Sequence, residues 1–157
     1  MAKVYLIAGK ICSGKTTFAK KLCVEKRAVL LSTDEITLAV FGQHIGEKHD
    51  EVVENTQAYL FEKSLEIIGC GINVCLDWGF WQKDERDYAR DFYKNRSIDT
   101  EFYYVDISES EWQKRIEKRN RAISDGTLCA YYVDENLRLK FSSLFEKPGE
   151  DETLLPV

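Results

Sequence analysis

Gly9-Lys10-Ile11-Cys12-Ser13-Gly14-Lys15-Thr16 satisfies G-x-x-x-x-G-K-[ST] at every fixed position. Before it, Lys3 to Ala8 is a β-branched and aromatic run that reads as a strand. After it, Lys15 to Lys26 reads as a helix with Phe18, Ala19 and Leu22 on one face. A strand, a glycine-bounded turn and a helix start make a cradle for phosphate. The glycines permit backbone angles that aim successive N–H groups at phosphate oxygens. The helix beginning near Lys15 adds the positive end of its dipole. In such a loop Lys15 bridges the β- and γ-phosphates, and the Thr16 hydroxyl ligates Mg²⁺. Gly9, Cys12, Ser13, Gly14, Lys15, Thr16 and Thr17 are therefore the expected cofactor contacts, with ATP and Mg²⁺ as the cofactors.

Two competing readings fail on spacing. A dinucleotide-binding βαβ unit wants G-x-G-x-x-G in its first turn, whereas four residues separate Gly9 from Gly14. A GTPase would carry an N-K-x-D tetrapeptide after its fourth strand, and this sequence has none.

The remaining elements alternate. Ala28 to Thr33 reads as a second buried strand, followed by Asp34 at a helix start and a short helix from Glu35 to Phe41. Asp50 to Ile68 is a long helix stopped by Gly69-Cys70-Gly71. Ile72 to Leu76 is a third strand ending in Asp77, and Lys83 to Lys94 a charged helix with Tyr88 and Phe92 beneath it. Glu101 to Ile107 is a fourth strand. Helices follow from Glu109 to Asn120, after the cap residue Ser108, and from Asp134 to Phe145. The tail around Leu154-Leu155-Pro156-Val157 offers a short fifth strand. Strands alternating with helices predict an α/β three-layer fold: a parallel sheet of four or five strands covered on both faces. At 157 residues, without repeat or linker, the chain is expected to form one domain over 1–157.

Composition narrows the partners. A net charge of −5 disfavours a polyanion, and no apolar run approaches the roughly 20 residues of a membrane span. The apolar N-terminus is too short for a signal peptide, so a cytoplasmic location is expected. The five cysteines, Cys12, Cys23, Cys70, Cys75 and Cys129, are odd in number and form no C-x-x-C pair; small buried residues are the ordinary reading. Cys12 is the exception, because its place inside the phosphate loop admits a redox role. His44 and His49 fall in a polar loop with no metal-ligand spacing.

With the phosphate loop, a strand-end acid and a late arginine cluster in view, nearly the whole chain resembles the small P-loop kinases. The nearest group holds the polynucleotide 5′-hydroxyl kinase domain, chloramphenicol phosphotransferase and the zeta-toxin kinases. Ser32-Thr33-Asp34 is similar to that family's strand-end aspartate, which takes the proton from the acceptor hydroxyl. Asp34 also suits a helix N-cap, and one residue can serve as both. Asp77, ending an apolar strand, looks like the acid that supports the magnesium shell or contacts the acceptor.

The segment Trp78-Gly79-Phe80-Trp81, with Arg86 further on, resembles the family's D-x-[GT]-F…R stretch. It makes Trp78, Phe80 and Arg86 candidate acceptor-binding residues; the same aromatics suit a core beneath the next helix. Arg115, Arg119 and Arg121 look like a lid around 115–130 with its tip at Ala122 to Ala130, Arg119 being the catalytic candidate and Arg115 a second nucleotide contact. An ordinary solvated helix face is the alternative. Phe145-Glu146-Lys147-Pro148 resembles the family's closing F-E-x-P, near the adenine or the sheet end.

One departure bears on the substrate. Polynucleotide kinases carry an arginine shortly after the aspartate, whereas here Glu35-Ile36-Thr37-Leu38 holds no basic residue. The resemblance therefore implies phosphoryl transfer from ATP to a hydroxyl, with a small-molecule acceptor first and a nucleic-acid 5′-hydroxyl second. A nucleotide-dependent binding switch is the rival from another class. Oligomeric state leaves no mark in the sequence.

Overall fold

A computed structural model describes residues 1–43 and 45–157; His44 lies outside the described residues. Five parallel strands form one sheet in the order β2-β3-β1-β4-β5: β1 Val4–Ala8, β2 Ala28–Ser32, β3 Asn73–Gly79, β4 Thr100–Tyr104 and β5 Leu155–Pro156. The helices are α1 Lys15–Lys26, α2 Thr33–Phe41, α3 His49–Gly69, α4 Lys83–Lys94, α5 Glu109–Ser124 and α6 Glu135–Leu144. A single 3₁₀ turn, Gly46–Lys48, precedes α3. The expected fold class holds, and the tail does supply the fifth strand, pairing with β4 through Tyr103 and Leu155.

β1 lies between β3 and β4 with all five residues buried, which is why its sequence is continuously apolar. Its side chains alternate between two cores. Val4, Leu6 and Ala8 face α3 and α4, meeting Phe61, Ala89, Phe92, Tyr93 and Phe102. Tyr5 and Ile7 face α1, meeting Ala19, Leu22 and Cys75. The Ser64 hydroxyl meets the Tyr93 hydroxyl at 2.7 Å, tying α3 to α4 inside the first core.

Boundaries moved where a tertiary contact, not local pattern, sets them. β3 runs on through Asp77 to Gly79 because Gly9 N–H donates to the Gly79 carbonyl at 2.9 Å. β4 stops at Tyr104, short of the expected Ile107, and α5 continues one turn beyond Asn120. His49, expected in a loop, is the first residue of α3. Beneath α4 lie Ala89, Phe92 and Tyr93; Tyr88 is largely exposed.

Arg86 corrects the sequence reading. Its side chain is 1% exposed and lies against Glu152, whose side chain is 2% exposed. Nε and Nη2 donate to the two carboxylate oxygens at 2.7 and 2.8 Å, and Nη1 donates to the Phe80 and Trp81 carbonyls. Every edge of the guanidinium is committed inside the molecule, so none is left for an acceptor. The pair instead fastens the segment before β5 to α4 and to the turn after β3. Removing one partner from such a pair leaves an uncompensated buried charge, so Arg86→Ala should cost about 3–5 kcal/mol in chemical unfolding. Arg86 holds the Glu152 carboxyl down at about 2, and an unfolded glutamate titrates near 4.3. The stability it contributes is therefore present above about pH 4.3 and is lost as pH falls towards 2. Glu152→Gln should flatten that part of the stability–pH curve; an unchanged curve would mean that other carboxylates set it.

Candidate active site

The phosphate loop leaves β1 at Ala8 and enters α1 at Lys15. A Cβ on Gly9 would lie 2.8 Å from the Val105 carbonyl oxygen, and one on Gly14 would lie 2.9 Å from Arg115 Nη1. The Arg115 tip could move aside, but Gly14 has φ +98°, which strains any side chain there, while at Gly9 the Val105 backbone itself blocks one. Lys15 Nζ crosses the loop and donates to the Lys10 carbonyl at 2.7 Å. Burial lowers the Lys15 pKa, and the Asp77 and Asp34 carboxylates pull against that fall while Arg119 adds to it. Lys15, Asp34, Asp77 and Arg119 therefore share one electrostatic neighbourhood.

Asp77, 4% exposed, sits on the α1 side of β3. Thr16 Oγ1 donates to its Oδ2 at 2.7 Å. Burial pushes the Asp77 carboxyl above its ordinary value, against the opposing pull of Lys15 and of the Thr16 hydroxyl. These adjacent oxygens are hard donors of the kind Mg²⁺ takes from a protein when phosphates and waters supply the remainder. No group of three or more His, Cys, Asp or Glu that would hold a metal by itself occurs among the described residues.

Asp34 lies two residues beyond Ser32, which pairs with Asp77 across β2 and β3. The N-cap of α2 is Ser32, whose Oγ accepts the Glu35 N–H at 3.4 Å. Asp34 is exposed, and among the described residues no hydrogen bond engages its carboxylate. Its choice between base and cap is thus narrowed, because the cap is taken.

α5 grips the loop along one face. Trp112 Nε1 donates to the Ile11 carbonyl at 2.6 Å, Arg115 Nη1 to the Ser13 carbonyl at 2.8 Å, and Arg119 Nη1 contacts Cys12 Sγ at 3.4 Å. Arg115 and Arg119 are brought to the loop, whereas Arg121 points away, its side chain 80% exposed. Trp112 escaped the sequence reading, although its i, i+3, i+7 spacing to the two arginines was the available signal. Beyond α5, Asn120 clamps the returning chain with two hydrogen bonds to the Val133 backbone. Tyr131 then reaches α2, its hydroxyl 3.0 Å from Thr37 Oγ1 and its ring edge-on to His49. No local pattern announced that contact.

Three of the buried side-chain atoms without a hydrogen-bond partner cluster here: Ser13 Oγ, Arg119 Nε and Thr33 Oγ1. Buried polar groups are ordinarily paired, so these atoms stand open to a ligand or an ordered water. Thr17 is exposed on the first turn of α1. Trp78, Phe80 and Trp81 do not share one pocket. Trp78 and Phe80 lie 5.1 Å apart on the α3–α4 side, and Trp81 turns to Phe141 at 4.8 Å. Phe145 stacks on Tyr104 and Glu146 N–H donates to the Trp81 carbonyl, so the F-E-x-P stretch closes the sheet end.

No curated protein matches the chain. Several solved structures share its fold. A putative kinase from Chloroflexus aurantiacus superposes with TM-score 0.75 at 19% identity, over 99% of this chain and 84% of its own. Kti12 from Chaetomium thermophilum in complex with ADP-AlF3 gives 0.75 at 18%, over 98% and 88%. A sugar kinase from Janibacter sp. HTCC2649 gives 0.69 at 17%, over 100% and 85%. The family model described as an AAA domain matches residues 4–131, most of the chain and the whole of the phosphate site, so this chain belongs to that family and has the fold of the small P-loop kinases.

Proposed function

We propose that the chain is an ATP- and magnesium-dependent phosphotransferase that moves the γ-phosphoryl group to a hydroxyl of a small molecule. The observation that carries this reading is the Asp34 carboxylate: Ser32 caps α2 in its place, and its charge acts on Lys15. A turn that only held nucleotide would need no free acid beside it, whereas phosphoryl transfer needs an oriented nucleophile. Asp34 orients the acceptor hydroxyl and takes its proton as the oxygen attacks the γ-phosphorus, whose bond to the bridging oxygen breaks to release ADP.

Lys15, the loop amides and the unpartnered Ser13 hydroxyl bind the triphosphate. Arg115 and Arg119 close from a lid around 115–130, and Arg119 stabilises charge on the group in transit. Thr16 and Asp77 would hold magnesium, whose charge would offset that of the phosphates during transfer. Trp78 and Phe80 border the acceptor. A small molecule fits the net charge of −5 and the absence of a basic residue from Glu35 to Leu38.

Label transfer from γ-labelled ATP into metabolite, RNA and protein fractions of a cell extract tests the reading. Label in the metabolite fraction is expected, and label in RNA would make the acceptor a nucleic-acid 5′-hydroxyl. No transfer with ATP still bound would favour an ATP-dependent binding switch. Asp34→Asn should keep ATP affinity and slow transfer by about 10²–10⁴-fold, the usual worth of a general base; normal transfer by the variant removes the mechanism. Lys15→Ala should weaken ATP binding about ten- to a hundredfold, as loss of a charge-assisted hydrogen bond implies. Because ion binding needs the Asp77 carboxylate, magnesium-dependent ATP affinity should fall as pH drops through its raised pKa, above the ordinary aspartate value of about 3.9. Asp77→Asn should abolish that acid limb, and a limb that survives unchanged would assign the titration to another group.

A further inference from the structure

A groove of about 550 Å³ runs between α3 and α4 at the carboxyl end of β3, within the size range of small-molecule sites. Its walls are aromatic. Trp78 and Tyr88 each stand nearly perpendicular to Phe61, at 81° and 80°, with centroids 5.3 Å away in both cases. Phe80 backs Trp78. Tyr88 is 58% exposed and Trp78 half-buried, so these two rings open the groove to solvent, while Phe61 and Phe80 are buried behind them.

Its rim is acidic. Glu54 from α3 and Asp84 and Glu85 from the first turn of α4 line the groove, and among the described residues no Lys, Arg or His does. Asp84 accepts the Glu85 N–H at 2.8 Å and Glu85 accepts the Gln82 N–H at 3.0 Å, so the amino end of α4 offsets part of their charge. Glu54 is exposed, and among the described residues no hydrogen bond engages its carboxylate. The accessible rings of Trp78 and Tyr88 beside these carboxylates attract organic cations through the ring quadrupole and direct charge pairing. A phosphate-bearing ligand would be repelled, and a neutral apolar one would strip water from the carboxylates without return.

We propose that this groove binds a substituted ammonium group, and that the acceptor is accordingly an alcohol carrying a positive charge. The second half rests on the phosphotransferase reading above. Asp77 and Trp78 are consecutive in β3, and strand alternation sends the first to the phosphate loop and the second into the groove. Asp34 follows β2, the neighbour of β3, so an acceptor anchored by its cationic end on Trp78 is to carry its hydroxyl from β3 to the end of the adjacent strand.

The test is tryptophan fluorescence of the full chain titrated with choline and with its neutral isostere 3,3-dimethylbutan-1-ol. Saturable quenching by choline, with the isostere about tenfold weaker or more, is expected, and Trp78→Phe should remove most of the signal. Glu54→Gln, on an exposed helix face where folding is undisturbed, should weaken choline several-fold and leave the isostere unaffected. Equal binding of the two probes, or no saturable signal at millimolar choline, overturns the proposal. So does quenching by a basic peptide but not by choline, which would make the groove a protein-docking surface. Transfer of label to a neutral alcohol without choline binding removes the groove and keeps the phosphotransferase. Choline binding without transfer to any alcohol keeps the groove and removes the phosphotransferase.

Discussion

The close approach of two backbones at the carboxyl end of the sheet is the constraint on which the site depends. Ala8 and Gly9 are held on both sides, by Val105 N–H donating to the Ala8 carbonyl and by Gly9 N–H donating to the Gly79 carbonyl. With the Val105 carbonyl so near Gly9, only a residue without Cβ passes. The loop that follows starts from a backbone fixed by β3 and β4, and so presents its amides in one arrangement. Central placement of β1, the parallel order of its neighbours and the burial of all its side chains serve that one junction.

Around the junction, charge is balanced without being neutralised. Lys15 loses hydration and is partly compensated by Asp77 and Asp34, while Arg119 presses the other way. Asp77 loses hydration in turn, and Lys15 and the Thr16 hydroxyl compensate it only in part. A site left with unpaired buried atoms and partial compensation is stabilised by whatever brings complementary charge. A triphosphate with its cation has that character.

Further from the loop, charge is used differently. Arg86 divides its donors between Glu152 and the Phe80 and Trp81 carbonyls, and Arg90 adds a further contact to Glu152 at 3.0 Å. This group holds the segment before β5 against α4, where few apolar residues are available to do so. The groove on the same helix exposes its carboxylates instead. Its aromatic walls belong to the cluster around Phe61 that joins α3, β3 and α4, so its shape is set by the core beneath it.

The phosphate loop and the alternation of strands and helices were legible in the sequence because both are local. A loop of fixed spacing carries its own backbone requirement, and a buried parallel strand announces itself as an apolar run. Lys15, Thr16 and Asp77 could be named for the same reason, since each stands at the end of a readable element. Only the tertiary structure assigned the rest. Arg86 resembled an acceptor ligand until Glu152, 66 residues away, was seen to occupy it. Asp34 suited both the base and the cap until the turn of α2 took Ser32, which the sequence reading had not considered, as its cap. Trp78 and Trp81, three residues apart, parted to opposite clusters, and Trp112 reached Ile11 across 101 residues. In each case the deciding partner is distant along the chain, so no periodicity or spacing around the residue carries its signature.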